Sequence, residues 1–206
     1  MNGFIAYTDQ IAALLGELRR QEGIVLQLVD EIVSRATQGR QVLVFGNGGS
    51  AATASHFVCD IVKGTMTPGC PRVKALCLTD NTSLVTAWAN DESYDSIFAE
   101  QLRVCLHPDD LVVAISGSGN SPNVLRAVEV AKESGATCFG LCGFDGGQLA
   151  RLAHYAVIIP AENIQQVEDI HLLILHSVSL LVKERLGEWQ KAKVLVMASA
   201  NSKGGR

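Results

Sequence analysis

The sequence predicts an α/β chain organised around a doubly wound, mostly parallel sheet, and three observations lead there. Five short apolar runs follow residue 40: QVLVF (41–45), VKALCL (73–78), DLVVAI (110–115), TCFGLC (137–142) and YAVIIP (155–160). Most of them lead into a turn or a stretch with helical spacing, and strands of this length alternating with helices imply right-handed crossovers that cover both sheet faces. The composition allows such a core, since 48% of the 206 residues are hydrophobic and 18% are charged, with five prolines and no long polar tract.

Ahead of the first strand, residues 4–38 lack proline and repeat apolar residues at helical spacing: Ile11, Leu14, Leu15 and Leu18, then Val25, Leu28, Val29, Ile32 and Val33. The pattern predicts one or two amphipathic helices, with an interruption expected near Gly23. A segment of this length exceeds what a crossover needs, so it either caps one sheet face or meets another subunit; residues 1–40 are read as a helical oligomerisation segment. Residues 41–187 form the α/β domain, whose last strong helix is expected over about 165–186. Residues 188–206 are read as a C-terminal tail, mobile over its final six residues.

Charge excludes one class of function. Seventeen basic against 21 acidic residues leave a net charge of −4, and a pI near 5.7 offers no electrostatic footprint for nucleic acid. No apolar run reaches the roughly 18 residues of a membrane span, and MNGFIAYTDQ lacks the basic flank of a secretory signal, so a cytoplasmic protein without membrane attachment is expected. The six cysteines, at 59, 70, 77, 105, 138 and 142, show no CxxC spacing and are read as reduced thiols.

Two loops carry the chemistry. QVLVF ends in Gly46-Asn47-Gly48-Gly49-Ser50 before a helix, and DLVVAI ends in Ser116-Gly117-Ser118-Gly119-Asn120-Ser121-Pro122 before another. Either alone reads equally well as a turn and helix cap. Together, at the ends of the first and third strands, they face one crevice and present backbone N–H groups and hydroxyls to an anion such as a phosphate monoester. Gly46, Gly48 and Ala51 also satisfy GxGxxA, but the next acid at a strand end, Asp80, lies 29 residues beyond Ala51, too far for a dinucleotide fingerprint.

His56 and Asp60, four apart and about 40° round a helix, can share a ligand. Glu168 and His176 lie about 12 Å apart along a regular helix and about 80° round it, which strains direct coordination of one small ion by both. His107, His154 and His171 are read as structural.

Through GNGGSAATASHF, ANDESYDSIFAEQL, AISGSGNSPNV, GFDGG and QQVEDIHLLILH, residues 5–187 resemble the sugar isomerase (SIS) domain superfamily, and within it the phosphoheptose isomerases. The resemblance implies a flavodoxin-like five-stranded sheet and a homotetramer with active sites built between subunits. It also implies zinc-assisted isomerisation of the sugar phosphate sedoheptulose 7-phosphate to D-glycero-D-manno-heptose 7-phosphate, for the heptose of a surface polysaccharide such as lipopolysaccharide. Substrate contacts then fall on Asn47, Gly48, Gly49, Asn90, Asp91, Ser116, Gly117, Ser118 and Ser121, with Ser50 closing the first loop. Ligands for a divalent metal, expected to be Zn²⁺, fall on His56, Asp60, Glu168 and His176. Two residues depart from the family pattern: Asp60 stands where glutamate is usual, and Glu168 where glutamine is usual.

Aldose–ketose isomerisation needs a base between C1 and C2, an acid/base for O1 and O2, and an electrophile at the carbonyl. Asp60 is expected as base with Glu168 in reserve, His176 as acid/base, and the metal ion as electrophile. The rival readings are a non-catalytic SIS scaffold that assists a replication initiator, and an isomerase for a different sugar phosphate.

Overall fold

A computed structural model describes residues 3–203, with side-chain surroundings described to residue 195. The chain opens with α1 (Gly3–Leu18), a 3₁₀ turn (Arg19–Gln21) and α2 (Glu22–Gln38). Next come β1 (Gln41–Gly46), α3 (Gly49–Cys59) with a π turn (Asp60–Gly64), β2 (Lys74–Cys77), α4 (Thr82–Asp91), a 3₁₀ turn (Tyr94–Ser96) and α5 (Ala99–Cys105). It ends with β3 (Leu111–Ser116), α6 (Pro122–Glu133), β4 (Thr137–Gly143), α7 (Leu149–Leu152), β5 (Tyr155–Ile159) and α8 (Ile164–Lys203). All strand pairs are parallel, and the order β2-β1-β3-β4-β5 is the flavodoxin-like arrangement.

The period-2 alternation of the central strands divides the core into two layers. Val42, Val44, Leu111, Val113 and Ile115 pack with residues of α2, α3 and α8, among them Leu28, Ile32, Phe57, Ile170 and Ile174. Leu43, Phe45, Val112 and Ala114 pack on the other side with Phe98, Leu102, Val124 and Val128, and Phe45 stacks on Phe98 with ring centroids 4.9 Å apart.

The N-terminal helices divide the role that sequence offered them. α2 caps the sheet, burying Leu28, Val29 and Ile32, whereas α1 buries no side chain completely. Their break falls at Arg19–Gln21, with Gly23 inside α2. At this break the side chain of Gln21 turns to the sheet: Gln21 Nε2 donates to the Ile158 carbonyl (2.7 Å) and Gln21 Oε1 accepts from the Ile158 N–H (2.9 Å). The side chain thereby satisfies the edge strand β5, whose outer backbone groups would otherwise be unpaired. At the other end, α8 passes the predicted stop at 186 and continues to Lys203. EWQKAKVLVMASANSK lacks an apolar stripe but contains no proline or glycine, and its alanines, lysines and glutamine favour helix intrinsically. Of the six terminal residues expected to be mobile, 201–203 are helical and 204–206 lie outside the described residues.

Among the described residues, no helix is long and apolar enough to cross a membrane. The six cysteines are free, and burial pushes the Cys138 and Cys142 thiols up to about 12.

His171 on α8 is buried, with Nε2 3.1 Å from the Cys142 carbonyl. A carbonyl only accepts, so Nε2 carries the proton and Nδ1 is bare, and Nδ1 has no partner among the described residues. Protonating Nδ1 would bury an unpaired cation, and burial accordingly pushes the imidazole down to about 4 from 6.5. The unfolded chain therefore binds the proton first on acidification: the stabilisation is complete above pH 6.5 and lost as pH falls through about 4. The shift corresponds to ~3 kcal/mol. Calorimetric Tm values should fall less between neutral pH and the lower end of this window for His171→Gln than for the parent chain.

Candidate active site

β1 pairs with β2 on one side and β3 on the other, so the chain reverses direction across the sheet at β1, and loops at the ends of β1 and β3 open on the same crevice. Gly46, opposite Ile115 in register, admits no side chain, because a Cβ there would strike the Ile115 carbonyl and Ser50. Gly48 follows with φ 55° at the start of α3, a backbone conformation that favours glycine. Ser50 is buried in the first turn of α3, whose N-terminus no side chain caps.

In the second loop, Ser116 Oγ accepts from the Gly119 N–H (3.1 Å) and lies 3.2 Å from Ser121 Oγ. Ser118 is exposed, and its Oγ accepts from the Asn120 N–H (3.2 Å). The Gly117 carbonyl accepts from the Gly143 N–H (2.8 Å), which holds the loop to β4. Ser121 stands at the N-cap of α6 without using its hydroxyl as a cap. The two loops are joined through Asn47 and Asn123, whose carboxamides exchange two hydrogen bonds of 2.9 Å each. Tyr94 adds a hydroxyl donor to Asn47 Oδ1 at 3.1 Å. Neither Tyr94 nor Asn123 was singled out by sequence: Tyr94 sits inside the ANDESYDSIF segment, and Asn123 after proline at a helix start reads as ordinary capping chemistry. Asn90 and Asp91 are exposed at the end of α4 and bond to one another (2.7 Å).

The second part of the site lies along α3. His56 Nε2 is 3.1 Å from His176 Nε2, and Asp60 Oδ2 is 3.5 Å from the first and 3.6 Å from the second. Asp60 begins the π turn that follows α3, a distortion frequent at functional positions. These three edges bracket the ~3.3 Å edge of a tetrahedron with ligands about 2.0–2.1 Å from its centre. Two imidazole nitrogens and one carboxylate oxygen are a donor set that could hold a divalent ion, and the partial exposure of all three side chains leaves space for a further ligand.

Glu168 is not in this group. Its carboxylate lies against Gly49, where a Cβ would overlap it. The reason is the spacing along a regular helix: Gly49 meets Glu168 and His56 meets His176, so α3 and α8 run side by side in one direction with contacts about 10 Å apart. Glu168 thus faces the positive end of α3, at the mouth of the anion loops and away from the His–Asp–His cluster. A carboxylate there opposes an incoming phosphate. Glu168→Gln is expected to lower the KM for a sugar phosphate roughly fivefold at low salt, with the advantage shrinking as salt screens the charge; steady-state kinetics at two ionic strengths measure both.

The SIS domain family model matches residues 6–143. The chain belongs to the SIS domain family. Its phosphoheptose isomerase relatives include those of Trichlorobacter lovleyi, 38% identical over 164 residues (79% of this chain, 82% of the relative), and Aneurinibacillus thermoaerophilus, 34% identical over 192 residues (90% and 96%). The solved phosphoheptose isomerase from Neisseria gonorrhoeae superposes with a TM-score of 0.82 at 28% identity, covering 88% of this chain and 97% of its own. That from Francisella tularensis gives 0.82 at 27% identity, covering 89% and 97%. With these relatives, this SIS chain is an isomerase. The family model's span begins inside α1, in keeping with α2 being part of the sheet's packing.

Proposed function

We propose that this SIS isomerase interconverts sedoheptulose 7-phosphate and D-glycero-D-manno-heptose 7-phosphate. The observation that carries the reading is the distance between its two functional ends. The anion loops at Gly49 and the His56–Asp60–His176 cluster are separated by about 10 Å along α3. An extended seven-carbon chain places its phosphorus eight bonds from C1, or ~10 Å at about 1.2 Å per bond. A ligand whose phosphate sits at the first loop, beside the serine loop that the Asn47–Asn123 pair joins to it, therefore reaches the cluster with C1 and C2.

A divalent ion of the Zn²⁺ type, held by His56 and Asp60 and leaving His176 Nε2 for proton exchange, would polarise the sugar carbonyl. Asp60 takes the C1 proton of the ketose and returns it at C2. His176 exchanges the protons of O1 and O2, which leaves the C2 oxygen as a hydroxyl and the C1 oxygen as the aldehyde. Ser116, Ser118 and Ser121 hold the phosphate by hydroxyl and backbone donors, with Ser50 and the Asn47–Gly49 turn beside them. Asn90 and Asp91, exposed and bonded to one another, fit the reading that a homotetramer completes the site. The unfilled apolar groove between α1, α2 and α8, about 600 Å³ and lined by Leu15, Leu18, Val25, Leu173 and Leu181, supplies a surface for that assembly.

Incubation of the protein with sedoheptulose 7-phosphate and Zn²⁺ should yield the aldose by ¹³C NMR. No turnover with any divalent metal would support the scaffold reading, and turnover of a shorter sugar phosphate alone would overturn the length argument.

A further inference from the structure

Among the described residues, the carboxamide of Asn47 has every hydrogen-bonding position filled but one. The Val124 backbone N–H, which can only donate, gives its hydrogen to Asn123 Oδ1 (2.9 Å). That bond determines which end of the buried Asn123 is oxygen. Asn123 Nδ2 must then face Asn47 Oδ1 and donate to it (2.9 Å), while Asn47 Nδ2 donates back to Asn123 Oδ1 (2.9 Å). The Tyr94 hydroxyl donates to the same Asn47 Oδ1 (3.1 Å). An amide oxygen has two lone pairs, and both on Asn47 are now occupied; the amide nitrogen has two hydrogens, and one is used.

We propose that Tyr94 and Asn123 are positioning residues that lock Asn47 as a one-way donor, its remaining N–H reserved for a lone pair on an oxygen of the bound sugar phosphate. An unlocked carboxamide could rotate and present either polarity. The locked one favours phosphate, carbonyl or hydroxyl oxygens as acceptors and cannot accept from a sugar hydroxyl. Tyr94 is 54% exposed, so the burial of its ring does not by itself explain this contact across 47 residues of sequence. Its platform is anchored: Arg126 Nη1 on α6 donates to Ser96 Oγ (2.9 Å), and Ile97 and Phe98 immediately after the turn are buried. The lock thereby joins the β1 loop, the start of α6 and the segment after α4.

The identity of the ligand rests on the sugar-phosphate reading; the network does not. A double-mutant cycle separates the two. Tyr94→Phe is expected to raise the KM for sedoheptulose 7-phosphate about fivefold, the loss of one hydrogen bond, with kcat within about twofold. In an Asn47→Ala background the same substitution should change neither constant, because it acts only through Asn47. An equal effect in both backgrounds, or none in the parent, overturns the proposal. A ligand-free readout is side-chain carboxamide NMR: the two Asn47 N–H signals, identified by their loss in Asn47→Ala, should shift and broaden in Tyr94→Phe. Unmoved signals overturn the lock whatever the substrate. Failure of the parent protein to turn over sedoheptulose 7-phosphate, with this NMR response intact, would overturn the substrate reading and leave the lock supported.

Discussion

Asp60→Asn is expected to lower kcat by about 10²–10⁴-fold, the range for removing a positioned general base. Asp60 begins a π turn at a point where its Oδ2 lies within 3.6 Å of two imidazole nitrogens. The carboxamide keeps the shape of the side chain but loses the charge that accepts a carbon-bound proton and helps to hold a divalent cation. Asp60 is partly exposed (32%) and forms no buried hydrogen bond on which the core depends, so thermal unfolding should be little altered. Asp60→Glu should retain turnover, since it keeps the carboxylate and one more methylene only lengthens its reach. A dead Asp60→Glu protein, with metal still bound, would mean that the shorter side chain is matched to a shifted substrate position.

His176→Gln is expected to abolish turnover to a similar degree while leaving the fold intact. The side chain is 46% exposed on α8, glutamine is a good helix former, and the neighbouring Leu175 and Val178 that anchor α8 in the core are unchanged. Metal analysis of the same variant separates two uses of Nε2, since one nitrogen cannot at once hold an ion and exchange a substrate proton. Loss of metal together with activity assigns Nε2 to the ion; retained metal without activity assigns it to the proton. Retained activity would remove His176 from the chemistry.

Much of this site was legible in the sequence because its parts are local. Gly46–Ser50 and Ser116–Ser121 each lie within one strand-to-helix turn, where the residue types required by tight backbone and exposed hydroxyls sit next to one another. His56 and Asp60 are one helical turn apart, so their shared face follows from periodicity. Glu168 is the residue for which local spacing and resemblance point different ways. Resemblance grouped it with the metal ligands, whereas helix spacing already indicated strain, and the carboxylate lies at Gly49. Tyr94 and Asn123 carried no signal of their own, because a hydroxyl and a carboxamide acquire meaning only from the partner they meet.

The sequence by itself determined that this chain forms a sheet buried on both faces. Val42, Val44 and Val113 alternate with Leu43, Phe45 and Val112 in segments too short for helices, and covering two apolar faces requires helices on each side. Only the tertiary structure decided that His56 meets His176 across 120 residues, that Gln21 pairs with the backbone of Ile158, and that Glu168 stands at Gly49. Those outcomes depend on the offset and rotation of packed helices, quantities set by the summed fit of many side chains and absent from the spacing of any few.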